Sequence, residues 1–281
     1  MKTVGKLSCV LVVLIVAIAI FSAMLVPAPE PGIPVYRYEV VHSYPHDRFA
    51  FTEGLAWDRG ILIESTGLKG NSTLRRVNLT TGEITTVRHL ANQYFGEGVT
   101  VLDGKTVQIT YDSGIGFISD HDSLEPQETF NYTTRGWGLA SNGHTLIMSD
   151  GSSTLYFIDP ETCREVRRIE VKALGVPVTN LNELEYVHGE VYANVWPTDR
   201  IAMISQGTGE VTGWIDLSGL LPEEALEQIG WSTIENYRRQ PSVRFADDTC
   251  LNGIAYDPGG NHLYVTGKLW PRLYEIRVVS G

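Results

Sequence analysis

The chain has 281 residues, 43% hydrophobic and 20% charged, enough for one large globular unit or two small ones. Its net charge of −11 comes without a basic patch, which argues against nucleic acid as a partner and suits a neutral or positively charged substrate. Neither Cys163 nor Cys250 lies in a C-x-x-C pair or a Cys/His cluster, so no metal site of that kind is indicated.

Residues 1–6 carry Lys2 and Lys6, and the segment 7–26 that follows is apolar apart from small residues. Its length is close to the ~20 residues that a spanning helix needs. The leading lysines place the N-terminus in the cytoplasm and the remainder outside. A cleaved signal peptide, giving a secreted protein, is the alternative; Ser22-Ala23-Met24 is a poor cleavage site. The favoured reading is a membrane anchor, a proline-rich tether over 27–34, and an extracytoplasmic domain over 35–281. Three Asn-x-Thr/Ser sequons, at Asn71, Asn78 and Asn131, agree with export.

The domain repeats. Five similar strand starts occur: Glu53-Gly54-Leu55, Glu97-Gly98-Val99, Trp137-Gly138-Leu139, Asn182-Glu183-Leu184 and Asn252-Gly253-Ile254, with first positions 44, 40, 45 and 70 residues apart. Each leads through a turn to a second strand, such as Val107 to Tyr111, and then to further strands. Short strands in fours, at a period of ~40–45, describe propeller blades. The expected fold is therefore all-β, a five-bladed β-propeller. The last repeat is one strand short, and Val35 to Tyr44 supplies it, closing the ring without an open edge. The long step holds an expected helix over Pro222–Tyr237, acidic in its first turn and apolar at helical spacing.

The innermost strand of a blade lines the central channel, so equivalent repeat positions share one ring. Glu53, Glu97, Trp137, Asn182 and Asn252 occupy it. Two carboxylates, an indole and two amides make a polar site with an apolar wall.

At this level the chain resembles the plant and bacterial glutaminyl-peptide cyclotransferases, the glutaminyl cyclases of the papaya-latex type. The resemblance runs from about His42 to the C-terminus. It rests on Phe51-Thr52-Glu53-Gly54-Leu55, Glu64-Ser65-Thr66-Gly67-Leu68, Phe95-Gly96-Glu97-Gly98, Gly136-Trp137-Gly138-Leu139, Leu181-Asn182-Glu183-Leu184-Glu185-Tyr186, Ala193-Asn194-Val195-Trp196, Leu251-Asn252-Gly253-Ile254-Ala255 and Thr266-Gly267-Lys268-Leu269-Trp270-Pro271. It implies a five-bladed propeller transferase that needs no metal or other cofactor, converts N-terminal glutamine of peptides or proteins to pyroglutamate and releases ammonia. With the N-terminal anchor read above, the expected protein is a membrane-attached monomer. The resemblance also implies site residues: Glu97 as acid/base, Asn182 and Lys268 as further catalytic residues, and Phe51, Phe95, Trp137 and Trp196 as pocket aromatics. Two positions depart. The family often has glutamine at Glu53 and tryptophan at Tyr111, so substrate preference is more open than the chemistry.

The residues themselves support such a reaction. Ring closure joins two groups of one molecule, so the protein must hold a folded side chain rather than supply a nucleophile. One carboxylate can take the amine proton and deliver one to the leaving nitrogen. Lys268 or Asn182 is expected to face the developing oxyanion, and Glu53 to receive the substrate ammonium. Two other functions compete: a two-carboxylate glycoside hydrolase using Glu53 and Glu97, and a non-catalytic binding propeller. Trp270 is expected in the core, and Asp120-His121-Asp122 in an exposed turn.

Overall fold

The computed structural model describes residues 32–229 and 249–281. The apolar segment 7–26 and the second half of the expected helix lie outside the described residues. Ile33–Gly281 forms one compact unit, and among the described residues no helix is long and apolar enough to cross a membrane.

The chain is almost entirely β. Strand β1 (Val35–Pro45) is followed by β2 (Thr52–Asp58), β3 (Ile61–Thr66), β4 (Thr73–Asn78) and β5 (Ile84–His89), then β6 (Gly96–Leu102), β7 (Lys105–Thr110), β8 (Ile115–Asp120) and β9 (Pro126–Asn131). Next come β10 (Leu139–Ser141), β11 (Leu146–Ser149), β12 (Thr154–Ile158) and β13 (Glu165–Glu170), and a small hairpin, β14 (Lys172–Ala173) and β15 (Val176–Pro177). The last strands are β16 (Leu181–Val187), β17 (Glu190–Val195), β18 (Arg200–Ser205), β19 (Val211–Asp216), β20 (Leu251–Asp257), β21 (His262–Gly267) and β22 (Arg272–Ser280). The strands β2–β5, β6–β9 and β10–β13 form separate four-stranded sheets, and one eight-stranded sheet has the order β16-β17-β18-β19-β1-β22-β21-β20.

That larger sheet is two antiparallel runs of four joined by one parallel seam. Strand β1 pairs antiparallel with β22 along nearly its whole length, from Tyr36↔Ser280 to Pro45↔Arg272. Its parallel contact with β19 is short, Val35↔Trp214 and Tyr36↔Ile215. The expected partner of the Val35–Tyr44 segment is thus the observed one.

In each run the first strand is largely buried; the fourth is mostly exposed in β5, β9, β13 and β1, whereas β19 alternates with buried residues. Thr52 to Ala56 of β2 are all buried, whereas β5 alternates between exposed and half-buried residues. The first strands pack against one another too closely for side chains. A Cβ on Gly54 would lie 2.6 Å from the Val99 nitrogen, and one on Gly98 would collide with the Leu139 nitrogen. The glycine that recurs after the ring residue is therefore a packing requirement between neighbouring first strands.

Helix α1 (Glu223–Ile229) begins one residue later than expected. Ile229 is fully buried, in the apolar cluster that contains Phe51, Leu251, Leu269 and Trp270. Trp270 is a core residue as expected, its indole N–H donating to the Thr249 carbonyl at 2.7 Å. His121 departs from expectation: it is buried, 3.0 Å from Thr106 Oγ1 and 3.2 Å from Asp58 Oδ2. It fastens a turn to its neighbours and is not part of an exposed ligand cluster.

A buried ion network joins the segment after β1 to β2, β3 and β4. Glu64 Oε1 accepts from Thr52 Oγ1 at 2.7 Å and lies 3.0 Å from His46 Nε2. Its other oxygen accepts from Arg75 Nε at 2.9 Å, and Arg75 Nη1 donates to Asp47 at 2.8 Å. The other nitrogen of His46 is 2.6 Å from the Trp270 carbonyl. Burial alone would raise the Glu64 pKa, but Arg75 and His46 outweigh it and bring the carboxyl down to about 2.

Candidate active site

Four of the five ring positions are built by a shared local irregularity. The β2–β3 register shifts between Thr52 and Gly54, and β6–β7 between Gly96 and Val99. The β16–β17 register shifts between Leu181 and Leu184, and β20–β21 between Leu251 and Ile254. Glu53, Glu97, Asn182 and Asn252 all fall inside these bulges. A bulge leaves a residue out of the ladder and re-aims its side chain. Trp137 stands just ahead of β10, where its backbone N–H donates to Ser149 and its carbonyl accepts from Gly98.

The structure joins the polar members directly. Lys268 Nζ donates to Glu53 Oε1 at 2.8 Å. Asn252 Nδ2 donates to Glu53 Oε2 at 3.0 Å and to the Thr52 carbonyl at 2.9 Å. The buried Glu97 carboxyl lies close enough to Glu53 for the Glu53 charge to act on it. Glu53, Glu97, Asn182, Asn252 and Lys268 are each no more than 6% exposed.

Lys268 is buried, and its ammonium is held by Glu53 and lies 4.7 Å from the centroid of the Phe51 ring. Burial favours the neutral amine, but the Glu53 charge, with further contributions from Cys250 and Glu97, raises the Lys268 pKa above its ordinary value. Glu97 moves the opposite way from Glu64: burial and the Glu53 charge push it well above the usual carboxyl range, and Lys268 only partly offsets them.

The aromatic residues fall into two groups. Phe51 and Phe95 meet edge to face with centroids 6.2 Å apart, and Tyr111 lies 5.8 Å from Phe95. Trp137 and Trp196 form a second edge-to-face pair at 6.0 Å. Gly67 leaves room between the polar and aromatic members, since a Cβ there would run into the Phe95 ring and lie 3.0 Å from Glu53 Cγ.

Several buried polar atoms here have no partner within the protein. They are Glu97 Oε2, Asn182 Oδ1, Asn252 Oδ1, the Trp137 indole nitrogen and Asn194 Nδ2. Such atoms carry a desolvation cost of roughly 1–3 kcal/mol unless something meets them. Three are acceptors and two are donors, a set suited to a ligand that offers both amine or amide N–H groups and a carbonyl.

Two residues not assigned a role from sequence complete the arrangement. Glu183 is fully buried, and its two oxygens accept the backbone N–H groups of Leu55 at 3.1 Å and Ile254 at 2.8 Å. One carboxylate thus ties β16 to β2 and β20, beside three of the bulges. Asn194 Oδ1 accepts from the Gly253 N–H at 3.0 Å and supports the Asn252 bulge. Glu183 had a visible signal: it stands where the other four repeats have glycine.

A separate cavity of about 480 Å³ lies at the opposite ends of the first strands, lined by His188, Tyr256, Asn261 and His262 among others. It contains none of the ring residues. Among the described residues, no group of three or more His, Cys, Asp or Glu side chains is placed to hold a metal ion.

A β fold with a buried carboxyl pair, a paired lysine and an aromatic wall defines the chain as a propeller-like protein with an enzyme-type site. It belongs to the glutamine cyclotransferase family, whose model matches residues 11–278. It is 42% identical over 246 residues to a glutaminyl-peptide cyclotransferase of Arabidopsis thaliana, covering 87% of this chain and 72% of that protein. It also matches the crystal structure of Myxococcus xanthus glutaminyl cyclase with a TM-score of 0.77 and 33% identity, over 88% of this chain and 99% of that one.

Proposed function

We propose that the protein is a glutaminyl-peptide cyclotransferase that converts N-terminal glutamine of peptides to pyroglutamate and releases ammonia. The single observation that carries this reading is the buried Glu97 carboxyl, left with one unpartnered oxygen. Family membership supports it.

In this reading the aromatic residues Phe51, Phe95, Tyr111, Trp137 and Trp196 fold the glutamine side chain back toward the α-amine, a pre-organisation that contributes several kcal/mol. Glu97 carries protons between the attacking and leaving nitrogens. The free acceptors on Asn182 and Asn252 receive the substrate's N–H groups. The unpartnered Trp137 indole N–H donates to the reacting carbonyl oxygen, a role that pairing with Glu53 makes less available to Lys268.

The architecture proposed with it is a five-bladed propeller in which the five four-stranded runs are blades and β1 completes the last. The N-terminal segment is the membrane anchor, with the catalytic domain on the extracytoplasmic side.

The test is to incubate the full-length protein with a peptide beginning in glutamine and measure ammonia and the cyclised product. Cyclisation is expected. Absence of ammonia with cleavage of a glycoside would instead select the two-carboxylate hydrolase.

A further inference from the structure

We propose that the protein prefers peptides in which an acidic residue follows the N-terminal glutamine, and that Arg135, stacked on Tyr111 at the mouth of the site, is the residue that reads it. The proposal rests on the cyclase reading. A glutamine at the start of a chain sends its α-amine and side chain into the buried cluster. Everything beyond its carbonyl must leave by the mouth.

One wall leads there from the polar cluster. The Lys268 ammonium lies 4.7 Å from the Phe51 centroid, Phe51 lies 6.2 Å from Phe95, and Phe95 lies 5.8 Å from Tyr111. The Arg135 guanidinium ends the line, 5.3 Å from the Tyr111 centroid. Exposure rises along it: Phe51 is buried, Phe95 and Tyr111 are half-buried, and Arg135 is exposed. The Gly136 N–H donates to the Tyr111 carbonyl at 3.0 Å, so the loop that carries Trp137 into the site also fixes Arg135 beside Tyr111.

The net charge of −11 belongs to the whole surface, and this side of the mouth departs from it. The loops at the ring's end of β1 to β10 span 46–51, 67–72, 90–95, 111–114 and 132–138. Besides His46, which faces Glu64, their charged residues are Asp47, Arg48, Lys69, Asp112 and Arg135. Both acids are committed, Asp47 to Arg75 at 2.8 Å and Asp112 to Lys69 at 2.7 Å. Among the described residues, neither Arg48 nor Arg135 meets a carboxylate. Arg48 lies over the Phe49 ring, with its Nε buried and unpartnered, and Arg135 lies over Tyr111. Contact with a ring face leaves guanidinium N–H groups free to point outward, in the planar fork that fits a carboxylate. Half-buried Arg48 adds positive field at the Phe51 end; exposed Arg135 can meet a side chain directly.

The test compares three peptides on the full-length protein: Gln-Glu-Ala-amide, Gln-Ala-Ala-amide and Gln-Lys-Ala-amide. The terminal amide removes any other carboxylate. In the wild type kcat/KM should fall in that order, with Glu over Ala by about 3- to 10-fold, since exposed ion pairs are individually weak. The difference should lie in KM, because the contact is the same before and during ring closure. Added salt should shrink it. In Arg135→Gln, checked for folding by circular dichroism, the Glu-to-Ala ratio should drop to about one, with turnover of Gln-Ala-Ala-amide unchanged. Arg135→Lys should keep part of the preference. Equal rates for Glu and Ala in the wild type overturn the proposal, as does a preference that survives in Arg135→Gln. A second readout needs no turnover: calorimetric binding of pyroglutamyl-Glu-Ala-amide and pyroglutamyl-Ala-Ala-amide. The acidic product should bind more tightly to the wild type and equally to Arg135→Gln. If no glutaminyl peptide is cyclised, the functional reading fails by itself, and the binding measurement decides this proposal: no difference between the two products overturns it.

Discussion

Two buried charge clusters sit within a few residues of each other and are completed differently. Around Glu64, both carboxylate oxygens are met by Thr52, His46 and Arg75. Around Glu97, one oxygen faces no donor, and its neighbours Asn182, Asn252 and Trp137 also carry unpartnered atoms. The outcome for the acid is opposite: Glu64 falls to about 2, while Glu97 rises well above the ordinary range. Burial is common to both, so burial does not mark a site. What marks it is buried polarity left for something else to satisfy.

The sharpest test of the contrast is to neutralise each carboxyl. Glu97→Gln keeps the shape and removes the acid. We expect kcat to fall by ~10²–10⁴ with a much smaller change in KM, and the denaturation midpoint to move little. Steady-state kinetics and chemical denaturation read both halves.

Glu64→Ala should do the reverse. It strands Arg75 and His46 in the interior, and breaking a buried pair in this way costs about 3–5 kcal/mol. Denaturant unfolding should show that loss, with much of the per-molecule activity retained in whatever remains folded. Equal catalytic damage from both changes would erase the distinction drawn here.

Acid should separate the clusters again. The folded Glu64 pKa lies below its ordinary value of 4.5, so its contribution is present above pH 4.5 and lost as pH falls toward about 2. That loss is on the order of 3 kcal/mol. His46 carries the opposite sign: its pKa is raised above 6.5 in the folded protein, so its contribution is full below 6.5 and is lost as pH climbs through the raised value. Thermal melts across pH should show the acid-side loss sharply weakened in Glu64→Ala.

The smallest effect concerns metal. Treatment with a chelator should leave the cyclisation rate unchanged, with folding followed in parallel. Loss of activity restored by zinc would place a metal in the chemistry assigned to Glu97.

The sequence made the ring legible because its members recur at one point of a repeat, ahead of a glycine in four cases. The spacing also placed β1 correctly, since a repeat short by one strand needs a partner. The bulges were not legible: a register shift of one residue leaves no mark in composition. Nor was the Lys268–Glu53 contact, which joins residues 215 positions apart. Nor was the Glu64 network, whose partners His46, Thr52 and Arg75 come from the segment after β1, from β2 and from β4. Glu183 was visible as the acid that breaks the glycine column; only the fold shows that its oxygens meet the backbone of two other strands.

Strand β1 has a consequence for how the molecule is made. Its main partner is the last strand of the chain, with Tyr36 opposite Ser280. Contacts of such sequence separation close a very long loop and slow folding. During synthesis β1 emerges early; only its short parallel contact with β19 can form before its long antiparallel partner β22 appears. The four-stranded sheets β2–β5, β6–β9 and β10–β13 draw their strands from consecutive stretches and can assemble in the meantime. A nascent chain lacking β22 would carry an unpaired edge on β1, open to association with other chains.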